Sequence, residues 1–201
     1  MTGPSITLVS EDALCQAIGE RLLGHRFVVG NKLVAGGYGK LKRDIHKYNQ
    51  IARVMPVLLI TDLDRLACPA LLIASWLPSE NKAPGLLFRV AVHEAESWAM
   101  ADRETFASFL TISEKLIPQE PDKLQDPKQV LLGLVRKSRN GLLKREMLPA
   151  RGALSPEGLG YNEHLCAFIR QDWRIDRAAE HSPSLFRAVK RIEELAQSFS
   201  H

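Results

Sequence analysis

The chain has 201 residues, 45% of them apolar and 25% charged, with a net charge of +4. This is enough to bury one sizeable core and short for two independent domains, and it excludes disordered and fibrous classes. No apolar run approaches the ~20 residues of a bilayer span, and no basic segment followed by a long apolar stretch is found at the start, so a cytoplasmic protein with no membrane partner is expected.

Ser5 to Ser10 is an apolar run rich in β-branched residues and predicts a strand. Glu11 to Leu23 follows with helical spacing at Leu14, Ile18, Leu22 and Leu23. Arg26 to Val34 contains a second extended segment. Gly36-Gly37-Tyr38-Gly39 breaks it before a basic helix predicted over Lys40 to Val54. Pro56 opens a central strand, Val57 to Thr61, and Pro69 to Leu77 reads as a short helix before a fourth strand, Leu86 to Val92. The βαβαβαβ order implies a parallel sheet with helices on its faces. Beyond Pro118, helical patterning over Lys128 to Arg139, Asn162 to Asp172 and Pro183 to Ser198 predicts a mostly helical extension, and Pro149 to Tyr161 reads as a loop. The expected organisation is a core over residues 1–117 with an extension over 118–201 packed on it as one structural domain. Cys15, Cys68 and Cys166 are odd in number and far apart, so they read as small buried hydrophobes, not as a disulfide or zinc framework.

Asp62-Leu63-Asp64 follows the central strand directly. Strand residues two apart share a face, and two carboxylates on one face are costly unless a cation neutralises them. Mg2+ is the simplest compensation, because it takes oxygen ligands and is commonly held by one or two carboxylates plus substrate phosphates. The alternative is a structural loop in which Asp62 caps a turn and Asp64 pairs with Arg65. Glu11 ends the first strand as Asp62 ends the third, and ligands of open parallel sheets bind beyond the carboxyl ends of the strands. The other reading of Glu11 is an acid at a helix N-terminus. Glu94 and Glu96, in His93-Glu94-Ala95-Glu96-Ser97-Trp98, come to the same rim, where one could join a metal cluster. Trp98 fits the core better than a base stack.

Gly36-Gly37-Tyr38-Gly39-Lys40 resembles the start of a phosphate-cradling loop, which makes Gly37, Gly39 and Lys40 candidate phosphate contacts. A plain glycine turn is the alternative, and the Walker spacing is absent. Lys40, Lys42 and Arg43 begin one basic block; Arg136, Lys137 and Arg139 begin another. Both fit an anionic partner such as DNA or RNA, and both also fit solvated helix faces. Ser182-Pro183 has the grammar of a helix start.

The strand ending in Glu11, the strand ending in Asp62-Leu63-Asp64, the Val90-to-Trp98 segment and Ser182-Pro183-Ser184-Leu185-Phe186-Arg187 together resemble the Toprim-like bacterial family DUF4276, related to OLD-type Toprim nucleases, across essentially the whole chain. The resemblance implies a Toprim-like, Rossmann-like fold, Mg2+ (or Mn2+) held by Asp62 and Asp64, and an acid-base or metal-binding Glu11. It also implies a further acidic role for Glu94 or Glu96, and nuclease chemistry beside a partner ATPase. Asp12 stands where Toprim proteins usually have Gly after the glutamate, and Arg65 follows Asp64 where a Gly is common. The rival is a non-catalytic binding or regulatory subunit that keeps the scaffold and docks a partner through its helical half.

Overall fold

The computed structural model describes residues 3–64, 66 and 68–199. Four parallel strands, β1 (Ser5–Ser10), β2 (Val28–Val34), β3 (Val57–Asp62) and β4 (Leu86–Ala91), form one sheet in the order β2-β1-β3-β4. The two inner strands carry the apolar runs because both their faces are covered. Ile6, Leu8 and Val9 of β1 and Val57 to Ile60 of β3 have no solvent exposure. Strand β2 is an edge strand, and its register against β1 slips at Gly30 between Val29 and Asn31, a bulge where the absence of a side chain is tolerated.

One face of the sheet, through Ile6, Leu8, Leu58, Ile60, Leu87 and Ala91, packs on α1 (Ala13–Leu23) and α5 (Ala95–Ala101). The other, through Val9, Leu59, Phe88 and Val90, packs on α2 (Tyr38–Arg43), α3 (Ile45–Ile51) and α4 (Pro69–Trp76). Helices therefore cover both faces, as in Rossmann-like α/β proteins. The basic helix expected as one piece is two, because the chain turns at Asp44, whose carboxylate ion-pairs with Lys47 at 2.9 Å.

Seven of the eleven α-helices among the described residues lie beyond β4: α5, α6 (Arg103–Leu110), α7 (Pro127–Lys137), α8 (Gly141–Met147), α9 (Tyr161–Gln171), α10 (Ile175–His181) and α11 (Pro183–Gln197). They share one apolar cluster with α1 and the first face of the sheet, through Trp98, Phe106, Leu131, Phe168, Trp173 and Leu185. Trp98 is wholly buried, and its indole N–H donates to Ser184 Oγ at 2.6 Å, so it is a core residue. Ser182 caps α11 by accepting from the Leu185 N–H, and Asp122 accepts in turn from the Ser182 hydroxyl and the Ser184 N–H. Cys15 and Cys166 are buried and Cys68 half-buried, all as free thiols. Among the described residues no helix is long and apolar enough to cross a membrane.

Candidate functional site

The chain leaves β1 toward β2 on one side, across one face, and leaves β3 toward β4 on the other side, across the opposite face. The two connections diverge between β1 and β3, and such a switch point opens a crevice at the carboxyl edge of the sheet. Glu11 follows the last residue of β1 and Asp62 is the last of β3, so both stand at that point.

The Glu11 carboxylate is fixed from β3. Its Oε2 accepts from the Thr61 hydroxyl at 2.5 Å and from the Asp62 N–H at 3.4 Å. Its carbonyl accepts from the N–H groups of Gly36 (3.0 Å) and Gly37 (3.1 Å). Gly37 has φ 120°, which side-chain-bearing residues rarely adopt, so the glycines let the loop after β2 fold over the end of β1. Those two N–H groups are committed to Glu11, which leaves Gly39 and the exposed Lys40 side chain as the loop's remaining candidate phosphate contacts.

Asp62 points to the α1 and α5 side. Its Oδ1 accepts from the Ala95 N–H at 2.9 Å, at the start of α5, and from the Cys15 thiol at 3.8 Å. Burial and then the charges of Glu96, Asp12, Glu11 and Asp64 push its pKa well above the ordinary aspartate range. Burial raises the Glu11 carboxyl as well, partly offset by the hydrogen bonds from Thr61 and Asp62, with Asp64 and Asp12 adding to the rise. Burial, reinforced by Asp62, raises the Cys15 thiol too, so it stays protonated as a donor.

Strand alternation does not reach Asp64, because β3 ends at Asp62. Asp64 lies exposed with φ 52°, and it clasps His93, φ 61°: its N–H donates to the His93 carbonyl at 2.8 Å, and His93 Nδ1 lies 3.2 Å from the Asp64 carbonyl. Two non-glycine residues in the left-handed region, held against each other, cost of order 1–3 kcal/mol each, and such strain concentrates at functional sites. Asp64, His93, Glu94, Asp126 and Tyr38 wall a cleft of about 530 Å³ at this edge. The pairing of Asp64 with Arg65 concerns a residue outside those described.

Glu94 and Glu96 both have protein partners. Glu94 Oε2 accepts from the Lys128 N–H at 2.7 Å, and the buried Glu96 Oε1 accepts from the Tyr161 hydroxyl at 3.0 Å and lies 3.5 Å from Lys128 Nζ. Burial raises both carboxyls and pushes the Tyr161 hydroxyl up. Burial works against the Lys128 ammonium, but Glu96, Glu157, Glu94 and Asp12 outweigh it and its pKa rises. Lys128 was not legible as a site residue, although Asp126-Pro127-Lys128 puts a cation in the first turn of α7, where the helix dipole opposes it.

The two basic blocks separate. Lys40, Lys42 and Arg43 are exposed on α2, directly after the carboxyl end of β2. Arg136 and Lys137 are exposed at the far end of α7, about 14 Å from Lys128 at 1.5 Å per residue, with Arg139 just beyond.

Among the described residues no three His, Cys, Asp or Glu side chains stand close enough to cage a metal ion. Glu11 and Asp62 nevertheless offer hard oxygen donors at the ends of adjacent strands, and no described Lys, Arg or His ion-pairs with either. Two carboxylates completed by water and substrate oxygens are a usual Mg2+ arrangement, so the donor set fits. No protein-family model, curated protein or solved structure matches the chain.

Proposed function

We propose that this protein is a Mg2+- or Mn2+-dependent enzyme of phosphodiester chemistry on nucleic acid, a Toprim-like nuclease of the DUF4276 type that works with a partner ATPase. The observation that carries this reading is that Glu11 and Asp62 stand at the ends of adjacent strands at the switch point, both carboxyls raised chiefly by burial, with no described cation ion-paired to either. Carboxylates whose charge is disfavoured by burial and by one another gain most from a divalent cation. Asp62 and Asp64 would hold the ion, which when bound supplies Lewis-acid stabilisation of charge at a phosphate. Glu11, held by Thr61, would accept a proton from an attacking water at the same edge. Lys128 offsets Glu96 and Glu94, and Lys40 with its neighbours would offer sequence-independent phosphate contacts beyond the carboxyl end of β2.

The rival reading, a non-catalytic subunit, is favoured by Asp62 Oδ1 serving as a cap for α5 and by Asp12 occupying the mouth of the site as the N-cap of α1. Incubation of the purified protein with single-stranded DNA, duplex DNA and RNA in Mg2+ or Mn2+ separates the two. Cleavage that is absent in EDTA and in Asp62→Asn is expected; no metal-dependent cleavage of any substrate, with and without an ATPase encoded beside it, would favour the subunit.

A further inference from the structure

Arg89 lies in the middle of β4, on the face it shares with Leu87 and Ala91, the face that α11 covers. Every other residue of that strand is buried and apolar, so an arginine here requires an account. Its Nε is sealed from solvent with no hydrogen-bond partner, and among the described residues no side-chain hydrogen bond or ion pair to Arg89 is formed. Its charged neighbours are mostly cations. Arg187 and Arg191 lie one turn apart on α11, and Lys82 precedes the strand. The acid that acts on Arg89, Glu194, is bound to Arg191 at 2.5 Å.

Three cations around a partly buried guanidinium are costly for the reason that bare carboxylates are. Arginine cannot relieve the cost by losing its proton at working pH. Burial, Arg191 and Arg187 lower the Arg89 pKa to about 10 against the pull of Glu194, and burial with Arg89 and Arg191 lowers Lys82. At about 10 the Arg89 guanidinium still carries its charge at pH 7. The guanidinium fork matches a tetrahedral oxyanion, which can take two N–H bonds from one arginine and further contacts from its neighbours.

We propose that Arg89, Arg187, Arg191 and Lys82 form a phosphate-binding site between β4 and α11. This site is separate from the carboxyl edge: Ala91, not Arg89, pairs with Asp62, and Lys82 lies before the opposite end of the strand. The chemistry recognised is a phosphoryl group, free or in a nucleic-acid backbone.

The test is made in EDTA, so that it is independent of any metal site. Thermal melts and titrations of the whole protein with inorganic phosphate and with a short oligothymidylate are compared with chloride at matched ionic strength. Saturable stabilisation is expected, weakened about tenfold or more in Arg89→Gln and in Arg187→Gln. Arg187 is exposed, so its substitution spares the fold. Response to phosphate identifies a free oxyanion as sufficient, and response to the oligonucleotide alone identifies the backbone; either supports the site. No stabilisation beyond that of chloride, or one that both variants retain undiminished, would overturn it.

Discussion

Replacing Asp62 by Asn removes the charge and keeps the shape. The retained Oδ1 still accepts from the Ala95 N–H and from Cys15, so α5 keeps its cap. Relief of the repulsion from Glu96, Asp12, Glu11 and Asp64, and of the burial that raises Asp62, should make metal-free Asp62→Asn more stable than wild type. Asp62→Ala loses the acceptor as well and leaves the Ala95 N–H without its partner, a cost of about 1–3 kcal/mol. The alanine variant should therefore melt roughly 2–12 °C below the asparagine variant, at ~2–4 °C per kcal/mol for a chain of this size. Wild type in Mg2+ or Mn2+ at about 100 times the dissociation constant should gain about 2.7 kcal/mol, roughly 5–11 °C, and both variants should lose that gain. The assay is differential scanning calorimetry at pH 7.5 in EDTA and across a metal titration. An asparagine variant less stable than wild type in EDTA, together with a wild type indifferent to metal, would refute the electrostatic reasoning.

Because the folded-state pKa values of Glu11 and Asp62 are raised above their unfolded values, their contribution to stability is full below about pH 4 and is lost as pH rises through the folded values. Metal-free melts should accordingly decline over that window, and saturating Mg2+ should flatten the decline; a profile rising with pH would contradict it. Thr61→Val is nearly isosteric but removes the 2.5 Å bond to Glu11, a charged-group bond of about 1.5–3 kcal/mol, so the acidic limb of any pH-rate profile should move to higher pH. Tyr161→Phe deprives the buried Glu96 of a donor and should cost about 1–3 kcal/mol in denaturant melts, the same with and without metal.

The sheet was legible because β1, β3 and β4 are apolar runs closed by Glu, Asp or a polar segment, and a buried parallel strand has few other ways to be written. That Glu11 and Asp62 stand at one edge followed from strand ends alone, since parallel strands present all their carboxyl ends there. What escaped were features set by tertiary contact. Helices α8 and α10 are seven residues each, too short to show a period, and are held by Leu143, Met147 and Ala178 in the shared core. The break between α2 and α3 depends on Asp44 and its lysine. Asp64 departs from strand alternation because its backbone is locked to His93, a partner far along the chain. Lys128 and Arg89 were invisible for a like reason: a cation's meaning lies in what surrounds it, and their surroundings come from α5, α9 and α11.

The central claim is that the carboxyl edge holds a divalent cation on Asp62 and Asp64, with water and substrate oxygens completing its shell. Titration of Mn2+ followed by electron paramagnetic resonance reads free ion directly and needs neither substrate nor partner. Saturable depletion of the free Mn2+ signal by wild type, competed by Mg2+ and lost in Asp62→Asn, is the predicted result. An undiminished free signal with wild type, or equal depletion by the variant, would contradict the account.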